Sequence, residues 1–519
     1  MRPNFLFIIT DQHRADHLGC YGNPIVATPA IDRIARDGVC FDRFYVTSAV
    51  CMPNRASLMT GRPPSLNGVR HNGLPLPLES MTFLDCLRHA GYRTHLVGKS
   101  HLQNMTGKPP VGSANGAVVE AMRRPGGRYD QEIAAKWRDD PEHDLDLPYY
   151  GFAGVDLAIQ HSDEVEGHYT RWLRARHPDP DSLRGPQNAL SNEAADLPQA
   201  WRTRLPEELY PTSYIAEQTI VRLREFAREG SNPFFLMCSF PDPHHPFTPP
   251  GRYWDMYRPA DIPLPKSWPI DSATVPPHVR RLIEERDSGN ARKDTPALFA
   301  CTEDEARRLT ALTYGMITMI DDAVARILGA LEEAGLADNT VVVFTSDHGD
   351  LMGDHQLMLK GPVHYQGLIR VPFIWRDTAD RRMQGRREAL AATIDIARTI
   401  LERAGVAPFN GMQGVSVLPA IERPVSVRES VLIEEEGQRV YMGFPSRIRM
   451  RTLVTEQARL SLFEGVDWAE LYDLRTDPLE MRNLWREPQA MTLEREMIER
   501  LAREMIGASD TSPLPMGLA

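Results

Sequence analysis

Cysteine is scarce: Cys20, Cys40, Cys51, Cys86, Cys238 and Cys301 are scattered along 519 residues, with no C-x-x-C pair among them. That distribution argues against a disulfide framework or a zinc–thiolate cluster. No apolar run approaches the ~20 residues needed to span a bilayer. The opening stretch Met1 to Thr10 has a short apolar core and no small-residue cleavage site behind it, so it predicts a first strand rather than a secretion signal. A cytoplasmic location is the default expectation. Positive charge is also in deficit: 59 Lys+Arg face 70 Asp+Glu, for a net charge of -11. This argues against a nucleic-acid or anionic-membrane partner, so any attraction for an anion must be local. No internal repeat is evident.

With 42% hydrophobic and 25% charged residues, the composition is that of a globular protein. The length predicts one large domain and a smaller one. Asn4 to Thr10 reads as a strand buried on both faces, as in a parallel sheet, ending in Asp11-Gln12. Further strands are predicted at Arg93 to Val97, Pro233 to Phe240 and Thr340 to Ser346, with helices at Ser80 to Ala90, Ser213 to Glu229, Glu303 to Gly335 and Arg387 to Ala404. Gln103 to Pro211 and Gly251 to Pro296 show no sustained periodicity and predict irregular insertions that shape a pocket. From about Pro408 the pattern changes to short strand-like runs at Ser430 to Ile433, Val440 to Met442, Ile448 to Val454 and Arg459 to Phe463, then a helix from Thr492 to Met505. The expected fold is α/β: a large, mostly parallel sheet between helices over 1–407, and a small antiparallel sheet with a C-terminal helix over 408–519.

The chemistry centres on Val46 to Gly61. Small residues lead into Cys51, Pro53 suits a first helical turn, and Gly61 suits a left-handed C-cap. Cys51 is therefore expected at a helix N-terminus, where unpaired N–H groups and the helix dipole favour an anion, with Arg55 one turn on. Other polar residues fall just past predicted strands: Asp11, Lys99 with His101, His244, and Asp347 with His348. If Lys99 and His101 lie on an extended segment, both face the same side. Convergence at strand ends is how doubly wound sheets build active sites. Asp11, Asp347 and His348 could hold a divalent metal with the nucleophile completing its shell, while Arg55, Lys99, His101, His244 and Lys360 could surround a tetrahedral anion. Asn72, before Gly73, is a candidate contact to that anion.

Cys51-Met52-Pro53-Asn54-Arg55 resembles the Cys-x-Pro-x-Arg maturation signature of the type I sulfatases, whose cysteine is oxidised to formylglycine. The likeness to this branch of the alkaline-phosphatase superfamily runs through Gly98-Lys99-Ser100-His101 to Leu471-Tyr472-Asp473-Leu474 and Asp477-Pro478-Leu479-Glu480. It implies that Asp11, Gln12, Asp347, His348 and the modified Cys51 hold one divalent metal ion, Ca2+ or Mn2+. It also implies catalytic roles for Cys51, Arg55, Lys99, His101, His244 and Lys360. Gln12 and His348 stand where many sulfatases have aspartate and asparagine, a combination similar to the branch of choline and iduronate sulfatases and phosphonate monoester hydrolases. Lys99 and His101 tilt the reading toward sulfate. The resemblance thus implies hydrolysis of an aryl, alkyl or carbohydrate sulfate ester and maturation by a formylglycine-generating enzyme; a homo-oligomer is the expected assembly. The alternatives are a phosphonate monoester or phosphodiester hydrolase with the same nucleophile, and a silent metal-dependent binding protein in which Cys51 stays a thiol.

Overall fold

The structure is a computed structural model that describes residues 2–109, 126–230, 232–270, 275–378 and 383–517. Its main sheet contains β1 (Asn4–Thr10), β2 (Val39–Phe41), β3 (Arg93–Gly98), β4 (Gly154–Ile159), β5 (Glu166–Gly167), β6 (Phe234–Ser239), β7 (Thr340–Ser346), β8 (Phe373–Arg376) and β9 (Gly385–Arg387). They lie in the order β9-β2-β8-β7-β1-β6-β3-β4-β5. The five strands from β7 to β4 are mutually parallel, with Phe5 of β1 level with Val341 on one side and Phe235 on the other. β8 runs antiparallel to β7 and β2.

Why β1 is apolar throughout is visible in its two faces. Phe5, Phe7 and Ile9 pack into one core with Met52, Ala56 and Met59, whereas Leu6 and Ile8 pack into another with Tyr214, Ile317 and Ile320. Alternate residues of one strand thus serve two helical layers, the pattern of a covered parallel sheet. The second layer is led by the helix Glu303–Glu333, which begins with a capping box between Thr302 and Glu305, and by the helix Pro211–Glu229.

The C-terminal sheet is antiparallel, in the order β10 (Ser430–Glu436), β11 (Arg449–Thr455), β12 (Ala458–Phe463), β13 (Glu470–Asp473). Leu453, Leu460 and Leu471 face the helix Met491–Gly507, through Met497 and Leu501. Val431, Ile433, Met450 and Tyr472 face the other way and join the core of the large sheet.

Several sequence expectations change. The helix expected from Arg387 to Ala404 is confined to Asp395–Arg403. Upstream, Arg387 ends strand β9 and Ala391–Ala392 pairs with Phe44–Tyr45, so tertiary strand pairing overrides the helical propensity of an alanine-rich run. Val440 to Met442 is a loop, not a strand: Met442 and Gly443 have φ of 58° and 80°, incompatible with extended pairing. The first insertion contributes β4 and β5 to the main sheet, and the second contains the helix Pro277–Asp287. Their portions at 110–125 and 271–274 lie outside the described residues.

Candidate active site

Cys51 is the first residue of the helix Cys51–Thr60, and every residue of that helix is buried. Gly61 closes it at φ 62°, the left-handed C-cap that glycine tolerates at least cost. Asn54 fixes the approach: its Oδ1 accepts from Thr47 N–H at 2.9 Å, and its Nδ2 donates to the Asp347 carbonyl. Asn72 reaches the same helix end, where its Oδ1 accepts from Met52 N–H at 3.1 Å. Asn72 therefore stands beside Cys51 while satisfying one of the helix's unpaired N–H groups.

The five parallel strands β7, β1, β6, β3 and β4 release Asp347, Asp11, His244, Lys99 and His161 respectively at one sheet edge. Asp11, Cys51, Asp347 and His348 offer ligand atoms within 4.8 Å of one another, all buried. His348 Nδ1 lies 2.8 Å from the Gly349 carbonyl; donation there leaves Nε2 as the ligand atom. Two carboxylates and an imidazole make a donor set that fits Ca2+ or Mn2+. Gln12 joins at the edge: its Oε1 accepts from Lys360 Nζ at 3.1 Å, and its Nε2 is bonded to Asp350 and to His245. Gln12 takes φ 61° to do so, strain held by Asp347, whose Oδ1 accepts from Gln12 N–H at 3.2 Å.

Cations tie the cluster together. Arg55 donates from Nε to Asp347 Oδ2 at 2.7 Å and from Nη1 to the Lys99 carbonyl and Ser239 Oγ, both at 3.0 Å; its Nη2 is 3.7 Å from Asp11. Lys99 is paired with the Asp11 carboxylate, and its Nζ lies 2.6 Å from His161 Nε2. Lys360 Nζ sits 3.0 Å from both Cys51 Sγ and His348 Nε2, and 2.9 Å from His244 Nε2. The electrostatic consequences follow. Burial alone would push the Asp11 carboxyl up, but Lys99, Lys360 and Arg55 hold it well below the usual carboxylate range. Burial and Asp11 both oppose ionisation of Cys51, yet Lys360, His348 and Lys99 bring its thiol below the ordinary value.

Burial and Lys360 oppose protonation of His348, yet Asp347 and Cys51 outweigh them and push it up, whereas His101 and His244 are held neutral. Burial, followed by the charges of Lys99 and Arg55, drives His101 well below its usual pKa, so its ring is neutral, and its Nδ1 has no partner among the described residues. The segment is not extended, since His101 has φ 57°. Its orientation comes instead from Glu132, whose carboxylate accepts the N–H groups of His101, Leu102 and Gln103. Burial, then His161 and His245, likewise depresses His244, whose Nδ1 donates to the His245 carbonyl and so leaves Nε2 to accept from Lys360.

All the predicted residues gather at one sheet edge, and three others accompany them. His161 stacks on His244 with centroids 3.6 Å apart, His245 stacks on the other side at 3.9 Å, and Asp350 anchors Gln12. His161 was legible as the polar end of Leu157-Ala158-Ile159-Gln160-His161, but that run lies within an insertion of low periodicity.

A sequence model described as Sulfatase matches residues 3–406, and one described as N-sulphoglucosamine sulphohydrolase, C-terminal, matches residues 353–506. An arylsulfatase of Clostridium perfringens is 29% identical over 499 residues, covering 93% of this chain and 90% of its own. A choline-sulfatase of Rhizobium meliloti is 24% identical, covering 94% and 83%. The crystal structure of the phosphonate monoester hydrolase of Agrobacterium radiobacter superposes with a TM-score of 0.76 and 26% identity, covering 98% of this chain and 97% of that one. Among the described residues no helix is long and apolar enough to cross a membrane.

Proposed function

Because the chain belongs to the sulfatase family of hydrolases, we propose that it cleaves an aryl or alkyl sulfate ester to alcohol and sulfate with Cys51 in its formylglycine form. One observation carries the reading: a buried thiol at a helix N-terminus lies 3.0 Å from both Lys360 Nζ and His348 Nε2, inside a ring that includes two carboxylates. Asp11, Gln12, Asp347 and His348 would hold a divalent ion that would supply Lewis-acid polarisation, and residue 51 as hydrated formylglycine would supply the attacking hydroxyl. Everything else falls to the chain's own side chains. Arg55 locks Asp347 in place, and Lys99 and Arg55 present positive charge to a bound sulfate. Neutral His101, with Nδ1 unpartnered, is suited to take a proton from the nucleophile. Lys360 holds the proton for the leaving oxygen. His244 Nε2 orients that ammonium, because a ring that donates from Nδ1 and is depressed in pKa carries no proton at Nε2.

Six free cysteines fit a reducing cytoplasmic setting, where maturation requires a formylglycine-generating enzyme. The mass of the tryptic peptide Phe44 to Arg55, from protein made in its own host, is the first test. Formylglycine there supports the mechanism; an intact cysteine, in a host whose converting enzyme is active, refutes it. A phosphonate monoester hydrolase is the second reading, favoured by the solved structure with TM-score 0.76. Comparing kcat/KM on matched aryl sulfate and aryl phosphonate esters separates the two.

A further inference from the structure

A cavity of about 640 Å3 opens beside the nucleophile. Asn72, Val50 and Lys360 belong to its lining, and Lys360 Nζ is 3.0 Å from Cys51 Sγ, so the cavity is continuous with the reacting centre. The rest of the wall comes from the helix Pro277–Asp287, from the segment 291–300, and from the loop 437–443 that follows β10. Leu282, Leu298, Phe299, Val440 and Met442 supply its apolar surface, and Val440 stands 58% exposed in the loop.

The wall also carries Asn72, Gln438, Arg439 and Tyr441, but its acidic groups are neutralised. Each of its three carboxylates is held by a basic side chain: Glu285 by Arg281 at 2.9 Å, Glu435 by His364 at 2.8 Å, and Glu436 by Arg70 at 3.4 Å. Sugar recognition relies heavily on carboxylates free to exchange hydrogen bonds with several hydroxyls, and a carboxylate already satisfied gains little by changing partner. An apolar group in the same space gains in proportion to the surface it removes from water. The volume lies within the range of pockets that enclose drug-sized ligands, well beyond a single phenyl ring.

Resting on the sulfate-ester reading above, we infer that the alcohol half of the substrate is an apolar group larger than phenyl, a fused-ring aryl or medium-length alkyl alcohol, and not a sugar. Sulfate sits over Cys51 while the apolar body lies between Phe299 and the 437–443 loop. Specificity therefore comes from the 437–443 loop together with the helix Pro277–Asp287 and the segment 291–300.

Turnover of a homologous series of alkyl sulfates, ethyl to octyl, tests this with fully converted enzyme. kcat/KM should climb by about fourfold per methylene, the equivalent of ~0.8 kcal/mol of apolar burial each, until the cavity is full. N-acetylglucosamine 6-sulfate should be the poorer substrate. Val440→Asp should lower kcat/KM for octyl sulfate by roughly tenfold while leaving ethyl sulfate nearly unchanged, and Val440→Leu should restore it. A flat series, or a preference for the sugar sulfate, overturns the inference. If converted enzyme cleaves none of these esters, the sulfate-ester reading itself fails. Calorimetric binding of the same series to the Cys51→Ala protein then decides the cavity question: affinity that rises with chain length upholds an apolar site, and affinity independent of length refutes it.

Discussion

Replacing Arg55 by leucine tests whether the site's charges hold it together. The guanidinium is fully buried and supplies Asp347 Oδ2 with a hydrogen bond at 2.7 Å, while its Nη2 lies 3.7 Å from Asp11. Leucine fills part of the volume but leaves the Asp347 carboxylate buried without that partner. Breaking a buried pair from one side typically costs ~3–5 kcal/mol. Asp11 keeps Lys99, so the lower half of that range applies. A chain of 519 residues has an unfolding entropy near 1.1 kcal/mol/K at about 2.1 cal/mol/K per residue, so Tm should fall by roughly 3–4 °C. Thermal unfolding followed by tryptophan fluorescence in chelator-treated protein reads this directly. In saturating Mn2+ or Ca2+ the deficit should shrink, because an ion at the Asp11, Asp347 and His348 cluster compensates the same carboxylates. A metal-free Arg55→Leu protein that melts within about 1 °C of wild type would show that the pairing contributes nothing, and the electrostatic account would be wrong.

Chelation should lower the Tm of the wild type, and titrating Mn2+ back to about a hundredfold above its Kd should recover ~2.7 kcal/mol of stability; an unchanged melt would remove the metal from the cluster. His161→Ala should cut kcat by roughly 10–100-fold, as losses of orienting partners do, with little change in Tm. Because burial first and His161 second depress His244, the same variant should move the His244-dependent limb of kcat against pH to higher pH; an unmoved limb would make His161 merely structural. Glu470 titrates at about 2 in the fold instead of 4.5, because Arg459 and His278 outweigh the opposing effect of its burial. A depressed carboxyl contributes stability that is complete above pH 4.5 and lost as pH falls toward 2, here about 3 kcal/mol. Glu470→Gln should therefore flatten the loss of Tm over that interval, and an unchanged acid slope would refute the pairing.

The parallel sheet was legible because its central strands are buried on both faces. Runs such as Val341 to Phe344 must be apolar throughout when alternate residues enter two different cores. Elements whose register is set by distant partners were not legible. Strand β9 and Ala391–Ala392 owe their conformation to pairing with Val39–Phe41 and Phe44–Tyr45, more than three hundred residues away, and nothing local to Arg387 encodes that. The 437–443 loop was hidden for a related reason. Val440-Tyr441-Met442 has the apolar, β-prone composition of a strand, but it spends that apolarity on a cavity wall instead of a sheet face.

At the site, legibility followed how directly a residue's role depends on its own strand. Asp11, Lys99, His244 and Asp347 sit one to five residues past apolar runs, so the chain order alone delivers them to a common edge. His101 reached the right neighbourhood for the wrong geometric reason: its φ of 57° and the Glu132 carboxylate orient it, and Glu132 is brought in from an insertion. The division between Lys360 and His244 is equally invisible in one dimension. Sequence brings Lys360 and His244 to one edge, but the proton's location between them depends on His244 Nδ1 facing the His245 carbonyl and on two neighbouring imidazoles stacked at 3.6 and 3.9 Å. A stack of three rings beside buried Lys99 and half-buried Lys360 cannot readily carry added positive charge. That crowding keeps His244 neutral and leaves the proton on Lys360.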